Sequence, residues 1–473
     1  MTFILAIALS FVAPVYVVAF VIVFDLYWLF RVVYFVIHLV VAWRTYRKTI
    51  RIDWAEKLRG LPGADRVHHL IFLPTYKEDL SVIRETFRSL RETRFPKDRM
   101  ILVLAGEARD AENFRHHAQA IEREFGTSFK KVYITEHPVG LSGEIPGKGS
   151  NLHWAGHQMA EALARDFPEL RDEDVVVSSF DVDTVAHKQY FSYLTYLYCT
   201  VPNPTRCSYQ PVALFSNNIW TAPAPVRVAA FGTTFWLLSE LSRPERLWTF
   251  SSHSMPWKML KDVGFWQKDI VSEDSRIFMQ AFLHYEGDYR VTPMFLPVSM
   301  DTVTGVTYVE ALGALYRQMR RWAWGVEHLP YMMVSFKEHP RIPLFKKLVY
   351  FFNHVEGMYT WATAPFLIFI LGRLPLWVAL NKEQAFLQAA PFTLENIMQL
   401  AMIGVFVSSA LSLTILPPRP KSVRPHTWLV MLFQWALMPV TFVVFGALPA
   451  IDAQTRLMIG KYLGFNVTKK ART

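Results

Sequence analysis

A chain of 473 residues leaves room for a soluble core and several membrane-spanning helices. Hydrophobic residues make up 52% of it, and 36 Phe, 15 Trp and 19 Tyr are more than a soluble enzyme usually carries. The net charge of +10 does not mark a nucleic-acid binder. Lys and Arg gather beside apolar stretches, at Arg44, Arg47 and Lys48 and again at Lys469, Lys470 and Arg472, where anionic lipid headgroups and the positive-inside bias account for them. Two cysteines, Cys199 and Cys207, make no disulfide framework.

Residues 3–43 are apolar apart from Asp25, Arg31 and His38, a run too long for the core of a signal peptide. The expectation is two spans turning near Phe24-Asp25-Leu26, with the second emerging into the basic stretch 44–51. Residues 1–48 are then an N-terminal membrane unit, and the domain after it is cytosolic.

Between 53 and 340 the pattern changes to short apolar runs, each closed by a polar turn. Strands are expected at 70–73, 101–104, 131–135 and 175–177, and helices at 79–94, 110–125 and 151–166. That alternation is the rhythm of an α/β domain with a mostly parallel sheet, whose ligand crevice lies beyond the carboxyl ends of the strands. The chain then turns apolar again over 341–452, with spans expected at 348–371, 397–416 and 428–448 and a cytosolic basic loop at 419–424. Residues 453–473 hold a basic amphipathic piece, 454–462, suited to the membrane surface, and a short tail.

Four clusters could carry chemistry. The first strand ends in Thr75-Tyr76-Lys77-Glu78, where a ring, a hydroxyl and a carboxylate suit a nucleoside, although the same residues are common in loops. Asp181 and Asp183 come directly after the fourth strand. The pair reads either as a capped, solvated turn or as the carboxylates that hold Mg2+ or Mn2+ on a diphosphate. Ser272-Glu273-Asp274 opens a helix, as a cap complementing its dipole or as a site where Asp274 takes a proton. Gln318-Met-Arg-Arg321-Trp322 lies on a basic aromatic helix. Either the helix is interfacial, or Arg321 meets a departing diphosphate and Trp322 a sugar ring. The histidine pairs His68-His69 and His116-His117 have no ligand spacing beside them.

In this order, and between apolar segments, the clusters resemble the processive family 2 glycosyltransferases of the cellulose, chitin and hyaluronan synthase type. The resemblance covers nearly the whole chain. It implies a cytosolic domain of the GT-A fold, flanked by N- and C-terminal transmembrane helices. It also implies inverting transfer of a hexosyl group from a nucleotide sugar, a UDP-sugar above all, to a growing polysaccharide, with translocation through the plasma membrane. Thr75, Tyr76 and Glu78 match the family's first nucleotide loop. Asp181 and Asp183 match DxD, which binds nucleotide and metal. Ser272-Glu273-Asp274 matches TED with Asp274 as the base, and Gln318, Arg321 and Trp322 match QxxRW. Lys148 resembles the lysine of the KxxNL-type segment, His253 falls in the acceptor-binding segment, and Phe465, Val467, Thr468 and Lys470 fit the FxVTxK gating loop.

Two features depart from the pattern. Where the family has a DDG-like cluster this chain has Ala105-Gly106-Glu107-Ala108-Arg109-Asp110, with Glu107 the nearest substitute. Three C-terminal crossings would also leave residues 465–470 outside, so either one apolar stretch crosses twice, or one lies in the interface, or the tail match is fortuitous. The other functional readings are a non-processive transferase onto a lipid acceptor, and a transporter or scaffold without catalysis.

Overall fold

The computed structural model describes residues 2–378 and 385–463. Its centre is an eight-stranded sheet in the order β3-β2-β1-β4-β7-β6-β8-β5. β1 (His68–Pro74), β2 (Met100–Glu107), β3 (Lys131–His137) and β4 (Val175–Ser179) are mutually parallel. They hold the expected apolar runs because both faces of this half are covered, which favours unbroken Val, Ile and Leu over alternation. Leu70 and Phe72 join one core with Ile101 and Val103, while Ile71 and Leu73 join the core on the opposite face with Leu102 and Leu104.

The other half of the sheet is mixed. β7 (His253–Pro256) runs antiparallel to β4 and β6 (Cys207–Phe215), β6 is parallel to β8 (Arg290–Met300), and β5 (Val185–Ala186) is antiparallel to β8. The helices Leu80–Arg91, Ala111–Phe125 and Lys148–Asp166 connect the parallel strands. Leu80–Arg91 buries Val82, Ile83, Thr86, Phe87 and Leu90, one stripe at helical spacing.

The N-terminal region departs from expectation. Pro14–Thr49 is one helix of 36 residues, about 54 Å at ~1.5 Å per residue, and it runs through Asp25 without a turn. The break falls at Ala13-Pro14, where proline lacks the N–H that a continuing helix would need and sits comfortably at a first helical position. Asp25 is buried. The preceding helix, Thr2–Val12, has 11 residues, too few to cross a hydrocarbon layer about 30 Å thick. One long helix stands where two spans were expected.

Among the described residues, four helices are long and apolar enough to cross a membrane: Pro14–Thr49, Leu344–Val378, Phe386–Ile415 and Thr427–Met458. The first two are tied by Tyr27, which donates to Glu356 at 2.6 Å, and by the Arg31–Glu356 ion pair at 2.9 Å. The last stretch, bent by 3₁₀ and π turns, touches the α/β domain along its length. Trp428 packs edge-on to Trp220 at 5.2 Å, Arg227 donates to Gln434 at 2.7 Å, Phe445 packs with Val226 and Leu315, and Asp452 pairs with Arg320 at 2.8 Å.

Candidate active site

Strand β1 delivers Thr75 to the crevice, with its N–H bonded to the Ala105 carbonyl at 2.8 Å. Glu78 closes the loop, one oxygen accepting from Thr75 Oγ1 at 2.9 Å and from the Tyr76 N–H at 2.5 Å. Lys77 takes a left-handed φ of 63° and donates its N–H to Asp110 at 3.2 Å. The Arg109 guanidinium lies 4.4 Å from the centre of the Tyr76 ring, and its Nε donates to Glu107 at 2.7 Å. Glu107 is buried, and two cations face the Tyr76 ring, Arg109 and, at 5.1 Å, the Lys77 ammonium. Motif reading of the sequence misses Arg109. The signal that could find it is a guanidinium two residues after Glu107, at the end of a strand.

Lys148 is the hub of the site. Its ammonium lies 2.8 Å from Asp181, 2.9 Å from both oxygens of Asp274 and 3.6 Å from Glu273. Two features of its helix place it there. Asn151 donates to the Ala105 carbonyl at 2.8 Å, fixing the helix against β2. Gly149, without a side chain, lets the first turn approach the Gln267 carbonyl and Glu273. Burial disfavours the Lys148 charge, but Asp181, Asp274 and Glu273 outweigh it and hold its pKa above that of an ordinary lysine. Burial pushes Glu273 up to about 8; Asp274 adds to the shift and Lys148 opposes it.

The two aspartates of the Asp181-Val-Asp183 segment are engaged differently. Asp181 accepts from Lys148 and, at 2.6 Å, from Ser251. Asp183 is fully enclosed and accepts the Asp301 N–H at 2.9 Å. Among the described residues, no three His, Cys, Asp or Glu gather to hold a metal. The carboxylate oxygens are the hard donors that Mg2+ or Mn2+ prefers, and a cation here fits only if phosphate oxygens of a donor complete its shell.

Asp274 sits in the first turn of Glu273–His284, and its carbonyl accepts from Thr249 at 2.6 Å. Ser272 stands at the N-cap and Glu273 and Asp274 in the first turn, where they complement the helix dipole, but the Ser272 hydroxyl makes no capping bond to the helix and donates to Glu327 at 2.5 Å. Arg321 lies near enough for its charge to favour ionised Glu273. Trp322 packs on Phe215 with ring centres 5.6 Å apart. Together with Gln318 it lines a cleft whose other walls include Val226, Ala230, Leu315 and Met319.

His253 is fully buried on β7, with Nδ1 at 2.8 Å from the Phe250 carbonyl and, among the described residues, no hydrogen bond at Nε2. Burial lowers its pKa to about 4. It presents no surface to an acceptor, and Ser251 from the same segment is the residue that reaches Asp181. Phe465, Val467, Thr468 and Lys470 lie outside the described residues.

No curated protein matches the chain. Among solved structures, a mannosyltransferase from Pyrobaculum calidifontis in complex with GDP-Man and Mn2+ is 13% identical with a TM-score of 0.42, covering 90% of this chain and 100% of that one. Residues 1–349 of TarS from S. aureus, in complex with UDP-GlcNAc, are 14% identical with a TM-score of 0.37, covering 74% and 92%. Overlaps of this size carry nothing about chemistry. The sequence itself carries more. Residues 176–450, more than half of the chain, match the model of glycosyl transferase family group 2. Asp181, Asp183, Asp274, Gln318, Arg321 and Trp322 fall inside that stretch, while Thr75, Tyr76, Glu78, Glu107 and Lys148 precede it. The chain belongs to glycosyl transferase family group 2.

Proposed function

We propose that this glycosyltransferase has a GT-A-type domain and moves a hexosyl group from a UDP-sugar to a growing polysaccharide, inverting the anomeric centre. The observation that supports this most is the convergence on Lys148. Asp181 and Asp274, separated by most of a hundred residues of chain, meet at one ammonium beyond the strand ends. Separate capped turns have no reason to meet there.

In this reading Tyr76 and Arg109 hold the nucleoside, and Lys148 exchanges its carboxylate partners for the diphosphate. The acceptor hydroxyl gives its proton to a carboxylate oxygen of Asp274 as its own oxygen bonds to the anomeric carbon. The bond from that carbon to the diphosphate breaks, and Arg321 with Lys148 offsets the charge that leaves. Asp181 and Asp183 would hold Mg2+ or Mn2+, which supplies further charge neutralisation on the diphosphate. Trp322 offers a face to the acceptor sugar and Gln318 a polar group beside it.

The membrane reading puts the domain on the cytosolic side of a plasma membrane, with Phe465, Val467, Thr468 and Lys470 in a loop closing on the nucleotide. The long apolar helices beside the domain support one second reading, a single transfer onto a lipid-linked acceptor. Purified protein given UDP-glucose, UDP-N-acetylglucosamine, UDP-glucuronate and GDP-mannose, with release of nucleotide and product length measured, tests all of this. Long product from a UDP-sugar, abolished by EDTA, is expected. A single-sugar lipid product selects the second reading, and no nucleotide release from any donor overturns both.

A further inference from the structure

The turn that carries Asp274 is fastened from outside its own helix. Ser272 donates to one oxygen of Glu327 at 2.5 Å, and the other oxygen accepts the Tyr462 hydroxyl at 2.6 Å. The next residue, His328, has its Nε2 at 2.8 Å from Ser275 Oγ, while Arg276 donates to its Nδ1 at 3.2 Å. Ser272 and Ser275 bracket Glu273 and Asp274, so two consecutive residues grip the turn on both sides. They come from the chain directly after Gln318–Trp322.

The same carboxylate also holds the C-terminal segment. Tyr462 packs edge-on to Trp324 with ring centres 5.2 Å apart, and Leu463 is buried with Val271, Ala323 and Trp324. Glu327 is 8% exposed and His328 1%. A carboxylate so enclosed is costly unless its oxygens are satisfied, and here two hydroxyls from distant parts of the chain supply donors. Burial raises the Glu327 pKa, and the bonds from Ser272 and Tyr462 work against that rise.

We propose that Glu327 is a positioning residue, a tether that registers the Asp274 turn against the Arg321 helix and the C-terminal segment. It touches neither nucleotide nor acceptor. The proposal rests on Asp274 being the base, and it adds that the base is in place only while Tyr462 is docked.

The test uses the full chain in detergent, with Glu327→Gln, Tyr462→Phe, Ser272→Ala, Ser272→Thr and the double variant Glu327→Gln/Tyr462→Phe. Glu327→Gln keeps the shape but gives one hydroxyl a donor to face. Misplacing a catalytic group by about 1 Å costs up to about 100-fold in rate. The expected result is therefore a fall in kcat of roughly 10- to 100-fold, with UDP affinity changed less than about threefold. Tyr462→Phe should lose part of that rate, Ser272→Thr should keep what Ser272→Ala loses, and the double variant should fall no further than Glu327→Gln. Amide hydrogen exchange over residues 272–276 should rise in Tyr462→Phe, a readout that needs no donor and survives if Glu327→Gln does not fold. Unchanged exchange in that turn, additive losses in the double variant, or a lowered Tm with normal kcat overturns the tether. Asp274→Asn separates the two levels. If it turns over normally the base assignment has failed, whereas an inactive Asp274→Asn beside a fully active Glu327→Gln removes the tether alone.

Discussion

Three carboxylates around one buried ammonium make an arrangement whose charge balance depends on pH. Glu273 is the member with the least access to water, and burial is what drives its pKa from 4.5 to about 8. Its carboxyl therefore binds a proton more readily folded than unfolded. The stability it contributes is fully present below about 4.5 and is lost as pH rises through 8. Glu273→Gln cannot ionise and should gain on the parent protein as pH goes up. Thermal midpoints of both proteins at pH 5 and pH 9 check this: the gap should move in the variant's favour at the higher pH. Parallel midpoints would mean that Glu273 has the same pKa in the folded and unfolded chains. Lys148 is the cation that all three share, 2.8 Å from Asp181, 2.9 Å from Asp274 and 3.6 Å from Glu273, so its removal strengthens the repulsion among them.

At the scale of elements, the site is made by how closely the Lys148–Asp166 helix approaches the Asp274 turn. A Cβ at Gly149 would lie 3.0 Å from the Gln267 carbonyl oxygen and 3.2 Å from the Glu273 Cβ. Gly149→Ala should push the helix back, costing about 1–3 kcal/mol of stability as overpacking does. It should also weaken UDP binding, since Lys148 moves with it. Thermal unfolding together with a UDP titration measures both, and an unchanged affinity would show that the helix position does not set the site. The sequence makes this helix and β1 to β4 legible because fully buried parallel strands are written as apolar runs ended by polar turns. It leaves the other half of the sheet unread for equally physical reasons. β7 is His253-Ser254-Met255-Pro256, polar in composition yet buried, with Ser254 Oγ satisfied by Ser178 and Tyr190 at 2.8 and 2.9 Å. β8 contains Pro293 and Pro297, residues that argue against a strand until its bulged pairing with β6 is known. The N-terminal region misleads in a related way. A polar Asp25 in an apolar run looks like a turn, but the helix continues through it with the side chain buried and breaks instead where proline removes a backbone donor. The motif residues are legible one by one. Arg109, Ser251, Glu327 and Tyr462 are not, because their meaning lies in partners that only the fold brings near.

At the scale of the whole molecule, the last apolar stretch decides on which side the chain ends. Thr427–Met458 has the length and hydropathy of a crossing helix. A crossing helix, however, must carry its two ends to opposite faces of a layer about 30 Å thick. Here the beginning meets Trp220, the middle meets Arg227 and Leu315, and the end meets Arg320, all residues of the α/β domain. Just beyond it, Tyr462 reaches Glu327. With Pro14–Thr49, Leu344–Val378 and Phe386–Ile415 as the crossings, the chain leaves the domain at Leu344, returns by Ile415 and stays. On that count we expect the last stretch, which also donates from Gln454 to the Met358 carbonyl at 2.9 Å, to lie along the membrane surface, and residues 464–473 to fall on the side of Asp274. That count would remove the parity conflict of three C-terminal crossings. Ser422 and Lys461 are both exposed and flank the stretch. In a background with Cys199 and Cys207 replaced, Ser422→Cys and Lys461→Cys should each react with a membrane-impermeant thiol reagent from the same side, the side on which the α/β domain is protease-sensitive. Labelling of the two from opposite sides would make the stretch a true span, place the tail across the membrane from the base, and leave no role for residues 465–470 at the nucleotide.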